Sequence, residues 1–247
     1  MVSQSRSCGR LSRNKEQESE KLVDKAPQIR TFMFDLDNTL IHSTIDFVKL
    51  KRKTIAFYSS LGVPNDSLSP TMKTYEITVN ATAALTRKGL PAREVAKITQ
   101  DASRLWNHVE LENVGNTRAV TGARATLQTL KDRNVKVGVV TRSCREYALK
   151  ALRAARLLEF VDVIVARDDC ANHKPDPEPL VQGLKLLGST EEETVMVGDS
   201  MADFHCSENA KVRFIGFVTG TDNLNSLRRT RGVTLISRLR DLIDRVP

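Results

Sequence analysis

From residue 118 onward the chain alternates short apolar runs with amphipathic stretches. The apolar runs are VKVGVV at 135–140, VDVIV at 161–165, TVMVG at 194–198 and residues 212–217. Between them apolar residues recur at three-to-four spacing, which predicts helices over 119–132, 144–155, 178–187 and 201–209. A last strand–helix pair is expected within 233–244. A strand followed by a crossover helix brings the next strand in parallel, and parallel strands need helices on both faces. One earlier segment, residues 30–35, reads as a short buried strand and belongs to this sheet, because it is apolar and finds no strand partner in the helical region that follows.

The region after that first strand has a different period. Phe47, Leu50, Thr54, Tyr58 and Leu61 form one helical stripe, stopped by Gly62 and Pro64. Residues 72–87 form a second helix, ended near Gly89 and Pro91. The third spans 92–112, with Val95, Ile98, Ala102, Leu105 and Val109 in register. The expected fold is therefore α/β: a doubly wound parallel Rossmann-like sheet with an inserted all-helical cap. The boundaries read as a flexible basic tail over 1–28, a catalytic core over 29–43 and 118–247, and a cap over 44–117.

Composition narrows the partners. No apolar run approaches the roughly 18–20 residues of a membrane helix. The segment 1–21 lacks the apolar centre of a secretory signal, and reads as a disordered basic tail or an organelle transit peptide. Cys8, Cys144, Cys170 and Cys206 are scattered without a C-x-x-C pair, which suits a reducing compartment and gives no zinc or disulfide framework. The expected location is the cytoplasm. The net charge of +8 is not clustered with aromatics, which make up only 5% of the chain, and this argues against nucleic acid as a partner.

Ligands of an open parallel sheet bind outside the carboxyl ends of its strands. Those ends carry Asp35 and Asp37, then Thr141, then Asp199 and Asp203, with Lys174 in the loop after 161–165. Converging carboxylates repel, and a divalent cation relieves them. Oxygen donors without His or Cys suit magnesium better than zinc.

In this order DLDNT (35–39), VVTRS (139–143), KPDP (174–177) and VGDSMAD (197–203) resemble the four motifs of the haloacid dehalogenase-like hydrolase superfamily. The helical insertion between the first two is similar to the subgroup containing phosphoglycolate phosphatases and beta-phosphoglucomutases. The resemblance implies that Asp35 attacks phosphorus and that Asp37 serves as general acid and base. It implies that Thr141 and Lys174 bind the phosphoryl group. It implies that Asp35, the carbonyl of Asp37 and Asp199 ligate Mg2+, with Asp203 as a ligand, a ligand through water, or the partner of Lys174. An acid at position 37 disfavours carbon–halogen hydrolysis.

Two positions depart from the family pattern. Asn38 stands where Gly is common, and Asn tolerates the backbone such a turn needs. Arg142 stands where a small or amide residue is frequent; it either meets a second anionic group on the substrate or pairs with an acid elsewhere. Other residues read as structural. Asp176 and Pro177 start a helix, Ser189 with Glu192 forms a capping box, and Cys144 and Cys206 are buried. Of the histidines, His173 falls nearest the site, His42 near the cap hinge and His108 on a cap helix.

The resulting expectation is a magnesium-dependent phosphatase acting on a small phosphorylated metabolite, phosphoglycolate first, as a monomer or homodimer. The alternatives are a phosphomutase on the same scaffold, a non-catalytic binding protein, and a phosphatase that uses the basic charge to reach nucleic acid. The basic run Lys49, Lys51, Arg52 and Lys53, or Arg142, is expected to supply a cation for the substrate's far end.

Overall fold

The computed structural model describes residues 28–218 and 224–245. Its strands are β1 (Thr31–Phe34), β2 (Ile41–His42), β3 (Arg118–Ala119), β4 (Lys136–Val140), β5 (Val163–Val165), β6 (Thr194–Gly198), β7 (Arg213–Phe217) and β8 (Thr234–Ile236). Six of them form one parallel sheet in the order β5-β4-β1-β6-β7-β8. The chain moves outward from β1 to β4 and β5, then returns to β6 on the other edge of β1. The crossover reverses there, so the crevice that such sheets use for ligands opens at the carboxyl end of β1.

Strand β1 is buried along its whole length. Its side chains alternate between two cores, as the period of a strand requires. Phe32 and Phe34 pack with Val137, Val139, Val195 and Val197 on one face, and Met33 joins Met196, Leu180 and Leu184 on the other. Helices α4 (Ala123–Asp132) and α5 (Arg145–Ala154) cover the first face; α6 (Glu178–Leu187) and α7 (Met201–Asn209) cover the second.

The inserted helices are α1 (Phe47–Ser60), α2 (Thr74–Arg87) and α3 (Ala92–Leu111). They hold a cluster of their own: Tyr58, Val63, Leu68, Ile77, Ala81, Ala84, Leu85 and Ala102. Asp46 caps α1 by accepting from the Lys49 N–H at 2.8 Å. The two linkers to the sheet lie side by side. Strands β2 and β3 pair antiparallel there, and the Thr44 and Thr117 hydroxyls meet at 3.4 Å.

Several expectations change. The helix expected over 119–132 begins at Ala123, because residues 118–119 pair with β2 and Gly122 turns the chain with a φ of 83°. Phe47 and Leu61, at the ends of their stripe, are exposed, while Leu50, Thr54 and Tyr58 between them are buried. Ser189 and Glu192 cap no helix. Residues 189–193 form a turn into β6, and the Ser189 hydroxyl bonds that of Thr31 at 2.7 Å. The C-terminal helix is a 3-10 segment, Leu239–Arg245, and α8 (Leu224–Arg229) occupies a stretch in which the periodicity showed nothing. The basic tail expected over 1–28 and Cys8 lie outside the described residues, except Gln28. Among the described residues no helix is long and apolar enough to cross a membrane.

Candidate active site

The backbone at the end of β1 brings two carboxylates to one side. The Asp35 N–H still donates to the Val197 carbonyl, at 2.8 Å, so Asp35 is held as the last rung of the sheet. Leu36 turns into the core with no exposure, and Asp37 emerges beside Asp35 in the same cleft. Asn38 then takes a left-handed φ of 63°, which reverses the chain toward β2. Asn accepts that conformation at small cost where most residues would not.

Lys174 organises the centre. Its side chain is 2% exposed and its ammonium donates to Asp35 Oδ1 at 2.6 Å, Asp203 Oδ1 at 2.6 Å and the Val140 carbonyl at 2.8 Å. An ammonium has three protons, so all three are placed. Burial alone would pull the Lys174 ammonium down, but Asp203 and Asp35 together push it well above the ordinary lysine value. It is a fixed cation at any physiological pH.

Asp203 is held from its other side. It occupies the third position of α7, where its Oδ2 accepts from the Ser200 N–H at 3.1 Å and the Ser200 hydroxyl at 2.5 Å. Gly198 makes this approach possible, since a Cβ there would stand 2.5 Å from the Asp203 Cβ. Asp199 directly follows β6 and is 9% exposed. Carboxylate oxygens of Asp35, Asp199 and Asp203 come within 4.8 Å of one another. Burial raises the Asp35 carboxyl well above its usual range; Lys174 opposes this, and the charges of Asp203 and Asp199 add to it. Three buried carboxylates against one ammonium leave an excess of negative charge. An all-oxygen set with that excess fits a hard divalent cation such as magnesium.

Asp37 has separate supports. The Tyr147 hydroxyl donates to its Oδ1 at 2.7 Å, and the Ser143 hydroxyl to its Oδ2 at 3.1 Å. Burial raises the Asp37 carboxyl, and the hydroxyls of Ser43, Tyr147 and Ser143 partly offset this. A carboxyl held up in this way is suited to carry a proton and return it. Thr141 is buried at the end of β4, where its hydroxyl oxygen accepts the Ser143 N–H at 3.1 Å. Cys144 is the N-cap of α5.

The cleft continues to the inserted helices as a cavity of about 1070 Å³. Asp35, Asp37, Thr141, Arg142, Lys174 and Asp199 line its floor, and Phe47, Lys51, Lys73 and Thr78 belong to its roof. Within the basic run, the cations divide. Lys49 is paired with Glu112 at 2.7 Å, Lys51 lines the cleft, and Arg52 and Lys53 do not. Lys73, which the sequence did not single out, does. Arg142 is exposed on the floor and lies in no ion pair with the described residues. His173 also lines the cleft, where burial and then Arg167 hold its imidazole below the ordinary value. His42 and His108 are exposed outside it. The Asp176 carboxylate bonds the Glu178 N–H at 2.9 Å, in keeping with its helix-starting role.

Besides Lys73, sequence reasoning missed four residues. Tyr147 reads as one more apolar position of α5, and it is fully buried; only the fold shows its hydroxyl reaching Asp37. Ser143 stood within a quoted motif without a role. Arg167 and Glu110 are buried charges on elements far apart in sequence, and no local pattern joins them.

A four-acid, one-ammonium site at the switch point of a doubly wound sheet, roofed by an insertion after β1, defines a narrow class. The family model for haloacid dehalogenase-like hydrolases matches residues 32–217, and the chain belongs to that family. The pyrophosphatase PpaX of Halalkalibacterium halodurans is 32% identical over 187 residues, covering 75% of this chain and 82% of the relative. Solved structures agree in fold. A protein from Haemophilus somnus described as a predicted phosphoglycolate phosphatase superposes with a TM-score of 0.59 at 18% identity, over 88% of this chain and 97% of that one. CbbY from Rhodobacter sphaeroides, in complex with xylulose-(1,5)bisphosphate, gives 0.57 at 20% identity, over 87% and 96%.

Proposed function

We infer that this chain is a magnesium-dependent phosphatase that hydrolyses a small phosphomonoester through a phosphoryl group carried on Asp35. The observation that carries this reading is the Lys174 ammonium, locked between Asp35 and Asp203, with the separately held Asp37 opening into the same cleft.

The chemistry follows from those positions. An Asp35 oxygen attacks phosphorus, and the ester oxygen leaves with the proton of Asp37. Asp37, now a carboxylate, takes a proton from water, whose oxygen attacks phosphorus and frees Asp35 and inorganic phosphate. The fixed positive charge of Lys174 offsets the charge on the phosphoryl group, and the Thr141 hydroxyl is placed to donate to a non-bridging oxygen, both without reorganisation. Asp35, Asp199 and the carbonyl of Asp37 would hold magnesium, which supplies positive charge to the phosphoryl oxygens. With both Asp203 oxygens already accepting, we assign Asp203 to holding Lys174.

Chelation by EDTA is expected to remove activity and magnesium to restore it. Asp199→Ala should raise the magnesium concentration needed for half activity at least about tenfold, as expected when a direct ligand of a hard cation is lost. Undiminished turnover in exhaustively chelated protein would count against a metal-assisted reaction. The screen that tests the substrate class is phosphate release from phosphorylated metabolites, phosphoglycolate and pyrophosphate included. Pyrophosphate is the second reading. The H. halodurans relative carries that name, and Arg142 gives the cleft floor a cation next to Thr141.

Specificity for a second anionic group falls to Arg142, Lys51 and Lys73. A charge-assisted contact of about 1.5–3 kcal/mol corresponds to about ten- to a hundredfold in kcat/KM. Single alanine substitutions should leave hydrolysis of p-nitrophenyl phosphate within about threefold, and at least one should lower kcat/KM for the best metabolite by that factor. If no variant separates the two substrates, these cations are a solvated rim.

A further inference from the structure

A second buried ion pair lies outside the catalytic set. Arg167, in the 3-10 turn after β5, has a side chain 5% exposed, and Glu110, near the end of α3, is 3% exposed. The guanidinium donates to Glu110 Oε1 at 2.5 Å through Nη1 and to Glu110 Oε2 at 3.0 Å through Nη2. Its other contacts run to α3 as well: Nε to Ser103 Oγ at 3.1 Å, Nη2 to Asn107 Oδ1, and its face to the Trp106 ring at 5.3 Å. One residue of the sheet domain thus holds four residues of a single inserted helix.

Both members also hold the turn between β4 and α5. Arg167 Nη1 donates to the Arg142 carbonyl at 2.7 Å, and Glu110 Oε2 accepts the Cys144 N–H at 2.9 Å. Between those two anchored residues lies Ser143, whose hydroxyl donates to Asp37; Tyr147, one helical turn on, donates to the other Asp37 oxygen. The links form one chain of direct contacts from α3 through Arg167 and Glu110 to the turn 142–144 and on to Asp37.

We propose that Arg167 and Glu110 are positioning residues: a clasp through which the seating of α3 on the sheet domain fixes the Ser143 and Tyr147 hydroxyls against Asp37. A buried pair is weak evidence for stability alone, since its desolvation cancels much of its attraction. What this pair adds is geometry. The planar fork of Arg167 satisfies Glu110, Asn107, Ser103 and the Arg142 carbonyl together, and the point charge of a lysine does not.

The test uses the full chain with magnesium and p-nitrophenyl phosphate, and rests on the phosphatase reading for its kinetic arm only. The variants are Arg167→Lys and Glu110→Gln, with Ser103→Ala/Asn107→Ala as a milder pair that leaves no buried charge alone. Trp106 is the only tryptophan of the chain, so its emission reports the clasp without any turnover. In folded protein, kcat should fall about 30- to 100-fold in the first two variants, the scale of a misplacement of about 1 Å, with KM within about threefold. The milder pair should fall between them and the native enzyme. Trp106 emission should shift to the red in step, and amide exchange at Cys144 should accelerate. If emission and exchange change while kcat per folded molecule does not, the pair is a structural tie and the proposal fails. If neither changes, there is no clasp. If the native chain hydrolyses no phosphomonoester, the phosphatase reading fails; unchanged emission and exchange in the variants then overturn the clasp separately.

Discussion

Asp35→Asn is expected to abolish turnover, by at least about 10⁴-fold, and to leave the fold intact or firmer. The loss is of the size found when a covalent nucleophile is removed from a set that acts as a unit. The stability side follows from the charges. Asp35 is buried beside Asp199 and Asp203, and its burial, with the charges of Asp203 and Asp199 added, already holds its carboxyl above the usual range. The amide removes one negative charge from the crowd, keeps nearly the same shape, and still offers an oxygen to Lys174. Without magnesium the melting temperature should stay level or rise by a few degrees, where about 1 kcal/mol corresponds to roughly 2–4 °C in a chain of this size. A variant that turns over at the native rate would remove Asp35 from the mechanism. One that unfolds would show that Asp35 is needed by the fold and would leave the kinetic loss without meaning.

Lys174→Met should do the opposite to stability while also abolishing activity. The ammonium is the only cation bonded to Asp35 and Asp203 among the described residues. Removing it leaves two buried carboxylates without a counter-charge, a change that costs about 3–5 kcal/mol. The melting temperature should drop by roughly 6–20 °C. The sign of the pH dependence is fixed as well. The Asp35 carboxyl, already raised by burial, will then lie still further above its unfolded value, so the destabilisation is full at neutral pH and recedes as pH falls and it protonates. Urea unfolding of native and variant protein at neutral and mildly acidic pH, without magnesium, measures this. A variant as stable as the native chain at neutral pH would mean that the Lys174 bridge contributes nothing net. A gap that widens on acidification would contradict the charge argument.

These two outcomes depend on parts of the molecule that differ in how plainly the sequence announced them. The strands TVMVG and the helices 178–187 and 201–209 were legible to the residue, because each is a short apolar or amphipathic run with sharp boundaries. The strand-end residues Asp35, Thr141 and Asp199 were legible together, since a parallel sheet delivers strand ends to one edge, with Lys174 in a loop at that same edge. What stayed hidden depended on contacts between distant segments. The 118–119 strand exists only because it pairs with 41–42. Glu110 sits one residue from Val109 on an amphipathic helix, where a carboxylate reads as the solvated side; its guanidinium is 57 residues away. Tyr147 reads as core because its ring is core, and only its oxygen serves the site. The division of the basic run was hidden too, since sequence gives each lysine the same charge and only packing sets Lys49 on Glu112 and Lys51 on the cleft.

The claim on which the rest stands is that a phosphoryl group rides on Asp35. Rapid acid quench of the native chain during turnover of a phosphomonoester with magnesium, followed by proteolysis and mass measurement, tests it directly. One phosphoryl group is expected on the peptide containing Asp35, on no other peptide, and absent from Asp35→Asn. A phosphoryl group found on another residue would contradict it, and so would Asp35→Asn protein that acquires the group as fast as the native chain.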